Sequence, residues 1–101
     1  MPFLIETYDA PERAHVRQDR YAEHLDFLEE NAELLLACGA KLTDDGAHAD
    51  GGVYLVDLDT REEAEAFIAR DPFSTGGLFR QVEVRRWRKA YLDGKTFLPP
   101  R

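Results

Sequence analysis

Val53-Tyr54-Leu55-Val56-Asp57-Leu58, with Thr60-Arg61-Glu62-Glu63 just beyond it, decides how the rest of the chain is read. The first stretch is apolar on both alternating faces except at Asp57, and it is rich in β-branched and aromatic side chains, as an interior strand requires. It belongs near the centre of a sheet. The second is a capping box: the Thr60 hydroxyl accepts from the amide of Glu63, Glu63 reaches back, and acids stand at the positive end of the helix. Ala64, Phe67 and Ile68 make the buried face of that helix. Pro72 ends it, because proline lacks the amide hydrogen and biases Asp71 away from helical angles.

Upstream, Phe3-Leu4-Ile5-Glu6-Thr7-Tyr8 reads as a first strand closed by the turn residues Asp9-Ala10-Pro11. From Val16 to Asn31, Tyr21, Leu25, Leu28 and Ala32 recur at helical spacing and predict an amphipathic helix with those residues on its buried face. Leu34 to Leu42 reads as a mostly apolar strand, and Thr43-Asp44-Asp45-Gly46 supplies an Asp-Gly turn back toward Val53. Downstream, Phe73 to Gly77 is a connector, Phe79 to Lys89 a last strand, and the prolines of Lys95 to Arg101 favour an extended tail. The order β-α-β-β-α-β is the split βαβ arrangement, an α+β ferredoxin-like fold whose antiparallel sheet carries its helices on one face. The other face is then bare. With residues such as Tyr54, Val56 or Val84 on it, that face would expose more apolar area than a monomer tolerates, so a second subunit is expected there, with Phe97 and Leu98 packing on it.

A chain of 101 residues is the size of one domain, expected to span 1–101 with its core at about 3–91 and a tail at 92–101. Thirteen basic against twenty acidic residues leave a net charge of -7, which repels phosphate backbones and anionic membranes. Arg85, Arg86, Arg88 and Lys89 form a basic run, but a strand divides such a run between two faces. No apolar stretch is long enough to cross a membrane, no secretory signal opens the chain, and one cysteine cannot form an internal disulfide, so a reducing cytoplasm is expected. Cys38 lies in the apolar run Leu34-Leu35-Leu36-Ala37-Cys38, which predicts a buried, inert thiol. Neither a metal-ligand spacing nor a phosphate-binding loop is present, and no cofactor is expected.

Of the three histidines, only His24 has an informative setting, at the border of the Tyr21/Leu25/Leu28 stripe with Arg17, Arg20 and Phe27 on the same flank. It is either a histidine satisfied at a helix edge or a general acid/base. Asp71, held extended before Pro72, either caps the amides of Phe73 or Ser74 or projects as a functional carboxylate. Together the two would form a proton-transfer dyad, since a carboxylate that accepts the imidazole N–H fixes the tautomer and raises the basicity of the other nitrogen.

Arg20-Tyr21-Ala22-Glu23-His24-Leu25, then Leu36 to Leu42, then Asp71-Pro72-Phe73 with Gly77-Leu78-Phe79 and a Val-Glu-Val-x-x-Trp strand, resemble the YCII-related (YciI-like) family over Phe3 to Tyr91. The resemblance implies a dimeric α+β barrel of two facing sheets and a pocket centred on a histidine and an aspartate, here His24 and Asp71. An arginine shortly before the histidine also recurs, and Arg20 or Arg17 fills that place. Ala37-Cys38-Gly39-Ala40 departs from the commoner Ala-Gly-Pro form. One known family activity is dehydrochlorination of a chlorinated hydroxyhydroquinone, and muconolactone isomerases share the barrel architecture.

The expectation is therefore a homodimeric, cofactor-independent enzyme acting on a small aromatic or enolisable compound. His24 and Asp71 are its candidate catalytic residues, and Arg20, Arg17 and Ser74 its candidate substrate-binding residues. Arg20 is taken to pair with an anionic substrate oxygen. The alternative is a non-catalytic ligand-binding or accessory domain using the same pocket, and a third reading is an oxygenase-like relative of the barrel.

Overall fold

Two antiparallel strands, β1 (Phe3–Asp9) and β3 (Ala49–Val56), form the middle of the sheet. They are flanked by β2 (Leu35–Leu42) beside β3 and by β4 (Phe79–Arg86) beside β1, giving the order β2-β3-β1-β4. The computed structural model describes residues 1–101. The helices are α1 (His15–Asp19), α2 (Tyr21–Glu30), α3 (Arg61–Arg70) and the single turn α4 (Pro72–Thr75). This is the α+β, ferredoxin-like, antiparallel arrangement that the element order predicts.

Register explains which face is which. Ile5 lies opposite Tyr54 and Val84, and Phe3 opposite Val56, so these residues share one face of the sheet. Against them pack Phe27 of α2 and Ala64, Phe67 and Ile68 of α3, with the Phe27 and Phe67 rings 5.0 Å apart. Each of the larger apolar side chains among them, fully buried, contributes roughly 1.5–3 kcal/mol. Tyr54, Val56 and Val84 thus face the helices and not the bare side. The bare side carries the alternate residues Leu4, Glu6, Tyr8, Val53 and Leu55, with Glu6 bonded to Lys41 at 3.2 Å. A smaller cluster of Val16, Phe73 and Leu78 closes the end of the fold where the site lies.

The capping box forms as its residues require, Glu63 N donating to Thr60 Oγ1 at 3.1 Å and Thr60 N to Glu63 Oε1 at 3.1 Å. The Asp-Gly turn also forms, with Gly46 at φ +73°. Several expectations need correction. The predicted helix of Val16 to Asn31 is two helices, broken at Arg20, whose φ of -107° and ψ of 10° leave the helical region. Its buried face holds Val16, His24 and Phe27, whereas Tyr21 and Leu25 are exposed. Two apolar stripes run side by side on this segment, and the one carrying Phe27, whose ring meets Phe67 of α3, fills the core. The last strand stops at Arg86, where Trp87 N turns to bond Pro2 O. The connector after Pro72 holds one helical turn. The tail is not simply extended: β5 (Tyr91–Leu92) and β6 (Lys95–Thr96) form a hairpin about Asp93-Gly94, both at positive φ.

Candidate active site

Asp71 stands at a junction. It ends α3 and begins α4, with φ of -60° and ψ of 131°, so its carboxylate is held between the two helices and is wholly buried. Oδ1 accepts from Phe73 N at 2.9 Å, and Oδ2 accepts from the Tyr54 hydroxyl at 2.8 Å. His24 Nδ1 lies 2.9 Å from Oδ1 and 3.0 Å from Oδ2. An ionised carboxylate only accepts, so Nδ1 carries the proton and Nε2, which bonds no protein group, keeps its lone pair. Both readings of Asp71 hold in geometry, since it caps α4 and also bonds the imidazole.

The rest of the site constrains that pair. The His24 ring stacks on Phe73 at 3.9 Å, nearly parallel, and meets the Tyr54 ring edge-on. Burial, and then the negative charge of Asp71, push the Tyr54 phenol far above its ordinary range, so it stays a donor. An isolated buried carboxylate costs several kcal/mol, and three donors offset that cost.

A cavity of about 200 Å³ opens beside His24. Arg17, Tyr21, Leu25, Leu28 and Phe73 wall it on the helix side, and Cys38, Gly39, Ala40, Gly51, Gly52 and Tyr54 on the sheet side. Gly52 shares the face of Thr7 and Tyr54, and a side chain there would lie 3.3 Å from Thr7 Oγ1, so this glycine keeps the floor open; at Gly51 the Thr7 carbonyl oxygen leaves no room for a side chain. Arg17 is pinned by Asp9, Nε to Oδ2 at 2.8 Å and one terminal nitrogen to Oδ1 at 3.0 Å, and its guanidinium lies over the Phe73 ring. Its other terminal nitrogen bonds no protein group.

The expected site residues divide accordingly. His24, Asp71 and Arg17 are brought together. Arg20 is not, because its side chain turns along the surface to Glu23 at 3.2 Å. Ser74 sits in α4 outside the cavity wall. His15 and His48 are exposed. Cys38 corrects the expectation of burial: its side chain is exposed on the cavity wall. Crowding by that wall, and then the charge of Asp71, raise its thiol to about 11. Tyr54, Asp9 and Phe73 were not singled out as site residues, and the alternation that puts Tyr54 on the helix face was the one available signal for it.

A family model for the YCII-related domain matches residues 1–88. The chain belongs to the YCII-related family. Among solved structures it is similar to the 5-chloro-2-hydroxyhydroquinone dehydrochlorinase TftG from Burkholderia phenoliruptrix AC1100, determined in complex with 2,5-dihydroxybenzoquinone. Identity is 33%, the match covers 87% of this chain and 94% of that one, and the TM-score is 0.79. The At3g17210 protein from Arabidopsis thaliana matches at 12% identity and a TM-score of 0.47, over 91% of this chain and 97% of that one. No curated protein matches significantly. No helix of this YCII-related chain is long and apolar enough to cross a membrane.

Proposed function

We propose that this YCII-related chain is a cytoplasmic, homodimeric enzyme that moves a proton on a small oxygenated ring compound, with His24 as general acid/base and no bound cofactor. The observation that carries the reading is an imidazole whose Nδ1–H is held by a buried carboxylate while Nε2 is unpartnered on a cavity of about 200 Å³. A cavity of roughly 150 Å³ accepts benzene, so this one suits a single ring. The similarity to a dehydrochlorinase with a bound dihydroxybenzoquinone supports the same substrate class.

In the elimination we envisage, Nε2 takes a proton from a substrate hydroxyl or ring carbon. The substrate ring reacts as the keto tautomer in which the chlorine-bearing carbon is sp3: the electron pair left behind becomes a new π bond, and chloride departs with the pair of the breaking C–Cl bond. The net loss is HCl, so no oxidant or reductant is needed. Asp71 and Tyr54 hold the ring that receives the proton, and Asp71 balances the imidazolium as it forms. The unpartnered Arg17 nitrogen replaces Arg20 as the donor for a substrate oxygen, with its charge already shared with Asp9.

The test is turnover of a panel of chlorinated hydroquinones and small lactones by the wild-type protein and by His24→Ala. General acid/base groups contribute about 10²–10⁴-fold, so the variant should lose activity on that scale. A ligand that binds the wild type with no turnover would favour the non-catalytic binding domain instead.

A further inference from the structure

Beyond the site, the charge of the chain is divided between two parts. Four of the thirteen basic residues, and one of the twenty acidic ones, lie from Trp87 onward, beyond the last strand of the sheet, so this arm carries +3 and the preceding 86 residues -10. The β5–β6 hairpin in the arm pairs with itself and with no strand of the main sheet. A lone two-stranded hairpin is marginal in water and needs a surface to pack on. The apolar residues Tyr91, Phe97 and Leu98, in and just after it, are exposed at 60%, 50% and 49%. The Cα radius of gyration, 14.4 Å against about 13 Å for 100 residues, fits an arm that reaches away from the body.

The body offers one surface with the opposite character. From Tyr21 to Ala40 the chain contains five acids, Glu23, Asp26, Glu29, Glu30 and Glu33, and no lysine or arginine. On α2 the exposed pair Tyr21 and Leu25, one turn apart, stands among these acids at the mouth of the His24 cavity. We infer that the basic, apolar arm of one copy docks across the acidic α2 of a second copy, setting Phe97 and Leu98 on Tyr21 and Leu25 and closing the cavity mouth. This goes beyond the proposed reaction and does not depend on which compound turns over. The β5–β6 hairpin and the tail after it lie beyond residue 88, where the family model's match ends.

Two measurements test it. In a Cys38→Ser background, Leu25→Cys and Leu98→Cys are made separately, mixed, and treated with a short bismaleimide. Both positions are exposed, so the fold is retained. The expected result is a covalent heterodimer that Lys95→Glu on the arm diminishes. No heterodimer, or only an intrachain link when both cysteines are in one chain, would overturn the inference. With the native Cys38 kept, Phe97→Asp/Leu98→Asp should label with N-ethylmaleimide severalfold faster than wild type at tens of micromolar protein. Equal rates would mean that nothing covers the mouth, because a dimer joined only through the bare sheet face leaves Cys38 open.

Discussion

The Tyr54 hydroxyl donates to Asp71 Oδ2 at 2.8 Å, and it is the one donor that Oδ2 does not share with Oδ1. Without it, Oδ2 keeps only its part of the His24 N–H, and the carboxylate is freer to rotate. A hydrogen bond to a charged group contributes about 1.5–3 kcal/mol. Tyr54→Phe should therefore lose about that much stability and roughly tenfold in kcat, with KM little changed. Asp71→Asn should cost more, about 10²–10⁴-fold, because an amide can hold the imidazole in the wrong tautomer and cannot balance its charge. Steady-state kinetics on a substrate found by the panel checks both; a Tyr54→Phe loss that falls entirely on KM would rule out a role in holding the dyad.

The same phenol sets an alkaline limit on stability. Its pKa in the folded chain is raised above the ordinary 10.0. Below about pH 10 folded and unfolded states both hold the proton, and the contribution is fully present. Above it the unfolded state releases the proton first, so stability falls by up to about 1.4 kcal/mol per pH unit. Urea unfolding at a series of pH values should show that decline in the wild type and a shallower one in Tyr54→Phe.

Cys38 is accessible yet slow. Only the thiolate reacts, and a thiol at about 11 is ionised far less at neutral pH than a free cysteine near 8.5. Partly offset by its greater nucleophilicity, labelling of the open-mouthed Phe97→Asp/Leu98→Asp variant at pH 8 should be roughly 10- to 100-fold slower than that of a small free thiol. The rate should climb steadily between pH 8 and about 11. A plateau below pH 9 would show that the cavity wall does not perturb the thiol.

The bare sheet face predicts a homodimer in solution. Leu4, Val53 and Leu55 are half-buried there, beside Glu6, Tyr8 and Lys41. Light scattering at micromolar concentration should give twice the chain mass of 11.6 kDa. Leu55→Lys should lower it while leaving the helical circular dichroism unchanged. A wild-type monomer would refute the dimer.

Much of this was legible before any coordinates, for local reasons. A capping box, an Asp-Gly turn and a proline one residue past a helix each act over a few bonds, so Thr60, Gly46 and Pro72 place their elements wherever the chain goes. Gly94 followed the same rule, and Asp93-Gly94 was the available signal for the small hairpin in the tail. Where two solutions satisfied the same spacing, locality failed. Tyr21/Leu25 and His24/Phe27 are both one-sided stripes on a helix, and the Phe67 ring, forty residues further on, selects the second.

His24 and Asp71 were nameable as residues from the sequence, from a helix edge and an Asp-Pro step. Their 2.9 Å approach across 47 residues was not. It exists because α2 and the α3–α4 junction lie on one face of the sheet, with Phe73 stacked on the imidazole and Tyr54 rising from β3 to meet the same carboxylate. Arg17 over Arg20 was likewise decided by Asp9, at the end of a strand eight residues earlier, which reaches one guanidinium and not the other. Cys38 turned on an edge strand, whose apolar run looks the same in sequence whether or not a helix covers it. The sequence by itself therefore determined the order of elements, the turns and the kinds of residue available for chemistry, since those depend on neighbours along the chain. Which side chains share a cavity depends on neighbours across the sheet, and only the tertiary structure decided that.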